Sequence, residues 1–150
     1  MTIAVDFDGT IVRHHYPAIG EEIPFAVATL RLLQEEHHRL ILWSVREGEL
    51  LEEAVEWCRQ RGIEFYAVNK EFPEEDQARN EHYSRKLKVD LFIDDRNIGG
   101  LPDWGTIYKM IHEHKSLEQV LLDELRAEAP QKPTPWWQRL MGKSYHQTNY

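Results

Sequence analysis

Apolar residues in this chain fall alternately into short continuous runs and into stretches with helical spacing, which predicts the order of its elements. Ile3-Ala4-Val5 reads as a buried strand that runs into the polar turn Asp6-Phe7-Asp8-Gly9-Thr10. Ala26, Val27, Leu30 and Leu33 then recur at helical spacing. Glu21-Glu22 and Pro24 before them suit a first helical turn, and the helix is expected to reach about Glu36. Leu40-Ile41-Leu42-Trp43 is a second strand, ending at Ser44. Leu51, Ala54, Val55 and Cys58 share one face of a second helix, with Gly62 as its C′ residue.

Ile63 to Val68 predicts a third strand, and an acid-rich, partly helical stretch runs from Asn69 to about Arg85. Asp90-Leu91-Phe92-Ile93 is a fourth strand, closed by Asp94-Asp95. After the turn Gly99 to Asp103, the run Trp104 to Ile111 fits either a helix or an edge strand, and Ser116 caps a last helix to about Ala127. Strands that are continuous apolar runs, alternating with helices, predict an α/β domain with a parallel sheet covered on both faces. No internal repeat is visible. Pro130, Pro133 and Pro135 mark a change of character, so the expected organisation is one domain over 1–128 and a tail over 129–150 that carries Trp136-Trp137.

Composition narrows the function classes. The chain has 150 residues, 41% of them hydrophobic, enough for one domain with a real core. A net charge of -8 argues against nucleic acid and against anionic membranes as partners. The same charge repels a phosphorylated substrate at long range, so local cations would have to bind it. The single cysteine, Cys58, excludes an internal disulfide. With neither a signal-like segment nor a membrane-length apolar run, the expected compartment is the cytoplasm.

The chemistry-bearing residues stand at predicted strand ends: Asp6 and Asp8 after the first, Ser44 after the second, Asp94 and Asp95 after the fourth. Open α/β sheets bind ligands beyond the carboxyl ends of strands, where the strand order reverses. With the order 3-2-1-4-5, strands one and four are neighbours, and the four carboxylates meet in one crevice beside Ser44. A hard divalent cation, Mg²⁺ among oxygen ligands, would make that crowding tolerable.

Asp6-Phe7-Asp8-Gly9-Thr10, Ser44, Lys86 and Asp94-Asp95, in that order, resemble the four motifs of the haloacid dehalogenase superfamily over roughly residues 1–112. The resemblance implies a single Rossmann-like domain of the short, phosphatase-like branch without a large cap. The gaps 11–23 and 69–85 agree, since neither can hold a folded domain. It further implies a Mg²⁺-dependent phosphomonoester hydrolase. Asp6 would be the nucleophile that forms an aspartyl-phosphate, and Asp8 the general acid and then the base. Ser44, Lys86, Gly9 and Thr10 would bind the phosphoryl group, with Lys70, Lys88 and Arg46 as alternatives. Asp6, Asp8 through its backbone carbonyl, and Asp94 would hold the metal, with Asp95 bound to it directly or through a neighbour. An uncapped site implies a large phosphorylated substrate or a second copy of the chain that closes it, and Arg13 to Tyr16 with Lys70 to Arg85 would set specificity.

Two other classes fit the same residues: a receiver-like protein that binds phosphate or metal without turnover, and a metal-dependent nuclease. Arg46 and Arg96 directly follow motif residues and would pair with carboxylates or reach substrate. His14-His15 and His112-Glu113-His114 lack thiolate partners for a zinc site and read as solvated side chains, with His14 near the first motif. Cys58, on an apolar helical face, reads as a core residue. Trp136-Trp137 with Leu140 would dock on the domain or on a partner.

Overall fold

A computed structural model describes residues 1–76 and 86–128. The polar segment 77–85 and the tail from Ala129, with Trp136-Trp137, lie outside the described residues. The elements run β1 (Thr2–Val5), α1 (Ala26–Glu35), β2 (Arg39–Leu42), α2 (Gly48–Arg59), β3 (Ala67–Val68), β4 (Leu91–Ile93), α3 (Trp104–His112) and α4 (Leu117–Glu128). All strand pairs are parallel, and the order across the sheet is β3-β2-β1-β4. The chain divides into two compact units, Met1–Lys115 and a second from Ser116. In the second, the Gln119 amide donates to Ser116 Oγ and Ser116 N to Gln119 Oε1, a reciprocal cap that starts α4. No helix among the described residues is long and apolar enough to cross a membrane.

Among the described residues the sheet has four strands, not the five expected. Trp104, Ile107 and Ile111 are buried at spacings of three and four, a helical stripe, and Asp103 caps their first turn by accepting from Thr106 N at 3.0 Å. The run left open between helix and edge strand is therefore α3. Two further boundaries moved. Phe25 adopts a left-handed conformation at φ 68, so α1 starts after Pro24 and Phe25. The third strand shrinks to two residues because its first half is bonded elsewhere. Ile63 N donates to Cys58 O across the left-handed Gly62 in a Schellman closure of α2, and Glu64 N donates to Gln34 Oε1.

The pleat divides the core. Ile3 and Val5 of β1 and Leu40 and Leu42 of β2 join Leu30, Leu33, Ala54, Cys58, Trp104, Ile107 and Ile111 in one cluster, so α1, α2 and α3 pack on this face. Ala4, Ile41 and Ala67 point the other way, onto Leu87. Burial pushes the Cys58 thiol up to about 12, the setting of an inert core residue. His37 and His114 sit at positive φ after α1 and α3, each followed by an amide that reaches back five residues. They are helix-closing residues in the position glycine usually takes.

Register places the strand ends. Val5 is paired with Ile93 on one side and with Leu42 on the other. The ladder continues one step beyond each pair, Asp6 N to Ile93 O at 3.0 Å and Trp43 N to Val5 O at 2.9 Å. Asp6 and Asp94 thus leave the sheet side by side, where the order reverses between β1 and β4.

Candidate functional site

A cleft of about 400 Å³ opens at these strand ends, lined by Asp6, Asp8, His14, Tyr16, Trp43, Ser44, Val45, Asp94 and Arg96. The carboxylates of Asp6, Asp94 and Asp95 each bring an oxygen within 4.8 Å of the others. Asp6 is partly buried, and its pKa is raised to about 6, first by burial and then by the charges of Asp94 and Asp95; bonds from the Phe7 backbone and Thr10 offset part of this.

Asp95 Oδ1 is buried with no hydrogen-bond partner. A buried carboxylate oxygen without a donor, beside two more carboxylates, is the donor set a hard cation takes, so the residues fit Mg²⁺. Asp6, Asp94 and Asp95 are the carboxylates that meet. Asp8, expected to offer its backbone carbonyl, lines the same cleft with its carboxylate bonded to Arg46.

Both Asp8 oxygens are held by Arg46, Nε donating to Oδ2 at 2.6 Å and Nη2 to Oδ1 at 2.7 Å. Arg46 is fully buried and its pKa is raised above the usual arginine value, first by these bonds. The loop after β1 makes this possible by turning tightly. Ile11 and Val12 amides donate back to Phe7 O, and Gly9 N donates to Val12 O at 2.7 Å with Gly9 at φ 91. A Cβ on Gly9 would collide with the Asp95 carboxylate, so only glycine fits between them.

Thr10 is fully buried beneath the cleft and does not line it. Its hydroxyl donates to Asp6 Oδ2 at 3.2 Å and accepts from Asp95 N at 3.0 Å, and Trp104 Nε1 donates to its carbonyl at 3.0 Å. Ser44 reaches the cleft, with its Oγ accepting from Arg46 N at 3.2 Å. Lys70 turns to Pro73 O at 2.6 Å and lines a separate hollow. Lys86 is exposed with its ammonium 5.8 Å from the Phe92 ring centre, and Lys88 is exposed as well. No lysine among the described residues lines the cleft; its wall carries Arg96 instead.

Three contributors escaped sequence reasoning. Trp43 and Val45 read as strand and loop filler yet form cleft wall. Asn69 receives Ser44 N at Oδ1 over 2.8 Å and gives Nδ2 to Ser44 O over 2.9 Å, at φ 53, so it fixes the end of β2 against β3. Its one signal was an Asn directly after an apolar run, where left-handed backbone is common.

No protein-family model matches the chain, and no curated protein does. A solved structure of a conserved protein coded by a locus from Bacteroides thetaiotaomicron is 72% identical and superposes with a TM-score of 0.75. The match covers 80% of this chain and 96% of that one. With that identity over nearly the whole of the relative, the chain belongs to the same family as the conserved Bacteroides thetaiotaomicron protein.

Proposed function

We propose that the chain is a Mg²⁺-dependent phosphomonoester hydrolase that works through an aspartyl-phosphate on Asp6. The observation that carries this is the meeting of Asp6, Asp94 and Asp95 within 4.8 Å at a cleft beyond the β1 and β4 ends. The ordered resemblance to the haloacid dehalogenase superfamily supports it. Bound to these carboxylates, Mg²⁺ would draw charge from a phosphoryl group and keep Asp6 ionised for attack.

The chain's own residues would do the rest. Asp6 attacks phosphorus while Ser44 and Arg96, both on the cleft wall, hold phosphoryl oxygens. Asp8, at the same wall, handles protons for the leaving group and for water. Thr10 keeps Asp6 and the Asp95 backbone in register. The test is release of phosphate from p-nitrophenyl phosphate by the purified protein. Activity that resists EDTA, or that survives Asp6→Asn, overturns the mechanism.

A second reading draws on Arg46. Because it occupies both Asp8 oxygens, a protein that accepts a phosphoryl group on Asp6 and releases it slowly is also favoured. Incubation with a small phosphodonor separates the two: stoichiometric self-labelling without turnover supports the receiver-like protein, and multiple turnovers support the hydrolase.

A further inference from the structure

The cleft wall is chemically divided. Asp6, Asp8, Asp94 and Arg96 give it a charged part, and Tyr16, Trp43 and Val45 an apolar one. Tyr16 is 52% exposed and Val45 72%, although water disfavours both. Three such side chains around one cleft are the lining of a ligand site, not scattered surface residues. Each also stands on backbone that is held in place. The loop of Tyr16 is closed at its base by Arg13 N donating to Glu21 O at 2.7 Å. Beyond Tyr16, Arg46 fixes the loop by donating from Nη1 to Pro17 O at 2.9 Å and from Nη2 to Ala18 O at 3.0 Å. The Tyr16 ring itself lies 5.3 Å from Arg46 Cζ. Trp43 N donates to Val5 O, and its side chain packs partly against the cluster of Ala4 and Ile41. Val45 stands between Ser44, bonded through N and O to Asn69, and the buried Arg46. A wall fixed in advance takes a ligand without the cost of ordering itself.

We infer that this apolar wall binds the leaving group, and that the site takes phosphomonoesters of neutral phenols and arylmethyl alcohols. The inference rests on the reading of the cleft as a phosphoryl-transfer site and names the other half of the substrate. Tyr16 and Trp43 offer flat faces, which favour a ring over an alkyl chain. Ser44, assigned to the phosphoryl oxygens, stands in sequence between Trp43 and Val45, and all three line the cleft. The apolar wall thus begins beside the phosphoryl group. An aryl or arylmethyl ester places its ring there, whereas a nucleoside monophosphate holds its base a ribose away. Neutrality follows from charge. Arg96 is assigned to the phosphoryl group and Arg46 is bound to Asp8, so no further arginine or lysine among the described residues lines the cleft to take a second anion. The chain's charge of -8 repels one besides.

The experiment compares kcat/KM in the full 150-residue chain with Mg²⁺ for benzyl, cyclohexylmethyl and ethyl phosphate and for uridine 5′-monophosphate. All four are esters of primary alcohols, so differences report binding of the leaving group. Benzyl phosphate is expected at least about tenfold above ethyl phosphate, the size of one aromatic stacking contact, and about threefold above the cyclohexylmethyl ester. Uridine 5′-monophosphate should fall below benzyl phosphate. Tyr16→Leu and Trp43→Leu should each lower the benzyl-to-ethyl ratio at least about threefold, and Tyr16→Phe should keep it. The ratio is taken within one variant, so a loss of folded protein cancels. Calorimetry with benzylphosphonate and ethylphosphonate, which are not hydrolysed, should show the same preference of at least about tenfold in binding. A short phosphotyrosyl peptide separates two sources of this chemistry: turnover above phenyl phosphate supports the inference with a protein as donor, and turnover below it supports the inference with a small aryl ester.

Turnover of benzyl and ethyl phosphate within about threefold of each other, with equal binding of the two phosphonates, overturns the inference while the hydrolase stands. Uridine 5′-monophosphate above benzyl phosphate overturns it as well, by placing the ring a ribose away. Ratios unchanged in both leucine variants overturn the part given to Tyr16 and Trp43. Tight binding of benzylphosphonate without turnover of any ester overturns the hydrolase reading and leaves the aryl-binding wall standing. Neither binding nor turnover overturns both.

Discussion

The Thr10 hydroxyl accepts the amide of Asp95 at 3.0 Å, joining the turn after β1 to the end of β4 across 85 residues of chain. Because the same oxygen donates to Asp6 at 3.2 Å, one buried hydroxyl sets the spacing of two of the clustered carboxylates. Thr10→Val keeps the shape, leaves the Asp95 amide without its acceptor and should cost about 1–3 kcal/mol in urea unfolding. Thr10→Ser keeps the bond and loses one methyl, about 1 kcal/mol. Mg²⁺ affinity by calorimetry should fall at least about tenfold in the valine variant and stay near wild type in the serine variant, a gap of about 1.4 kcal/mol. Equal affinities in the two would show that the hydroxyl does not set the site.

Asp6 supplies a pH dependence whose sign can be worked out. Its folded-state pKa, about 6, lies above the ordinary 3.8 because of burial first and the neighbouring carboxylates next. A raised folded value means stability that is complete below the unfolded value and is lost as pH rises through about 6. In metal-free protein, Asp6→Asn should therefore be more stable than wild type at pH 7.5, by about 1–2 kcal/mol after allowance for partial exposure, and no more stable at pH 4. Mg²⁺ needs the ionised carboxylate, so its effect on the melting temperature should be large at pH 7.5 and nearly vanish at pH 5. A melting shift by Mg²⁺ that is the same at both values would remove Asp6 from the ligand set.

Gly9 tests the crowding itself. At φ 91, and with the Asp95 carboxylate where a side chain would begin, Gly9→Ala must strain the turn and displace Asp95 together. The expected cost is roughly 1–3 kcal/mol in stability, from backbone strain alone. The more telling readout is Mg²⁺ protection against thermal unfolding, which should largely disappear. Protection of wild-type size would mean that Asp95 is dispensable to the metal.

What was legible from sequence follows from where physics is local. Continuous apolar runs that end at Val5, Trp43 and Ile93 gave the strands, and the strand order assumed for such a sheet made β1 and β4 neighbours, with Asp6, Asp94 and Asp95 meeting at their ends. The fifth strand failed because a short apolar run such as Trp104 to Ile111 has both periods until its cap, Asp103, is seen bonding Thr106. Lysine placement was not legible for another reason. Residues 77–85, which lie outside the described residues, separate Lys70 from Lys86, so spacing along the chain says little about position in space; Lys70 donates to Pro73 O and the Lys86 ammonium lies 5.8 Å from the Phe92 ring centre. The hold of Arg46 on Asp8 was open as a pairing, but its completeness depends on the Pro17 and Ala18 carbonyls, which no side-chain pattern announces.

Asn69 offers the last prediction, since it was invisible until Ser44 was seen to need it. Its side chain makes two bonds to the Ser44 backbone, at 2.8 and 2.9 Å, from a residue at φ 53. Asn69→Gly loses the bonds and keeps the backbone, whereas Asn69→Ala loses both, so stability should fall in the order wild type, glycine, alanine. The second step should be about 1 kcal/mol, the cost of the left-handed conformation for a residue with a Cβ. Both variants free Ser44 equally, and both should raise KM for an aryl phosphate by a similar factor even though they differ in stability. If KM instead follows stability, Asn69 supports the fold alone and Ser44 does not hold the phosphoryl group.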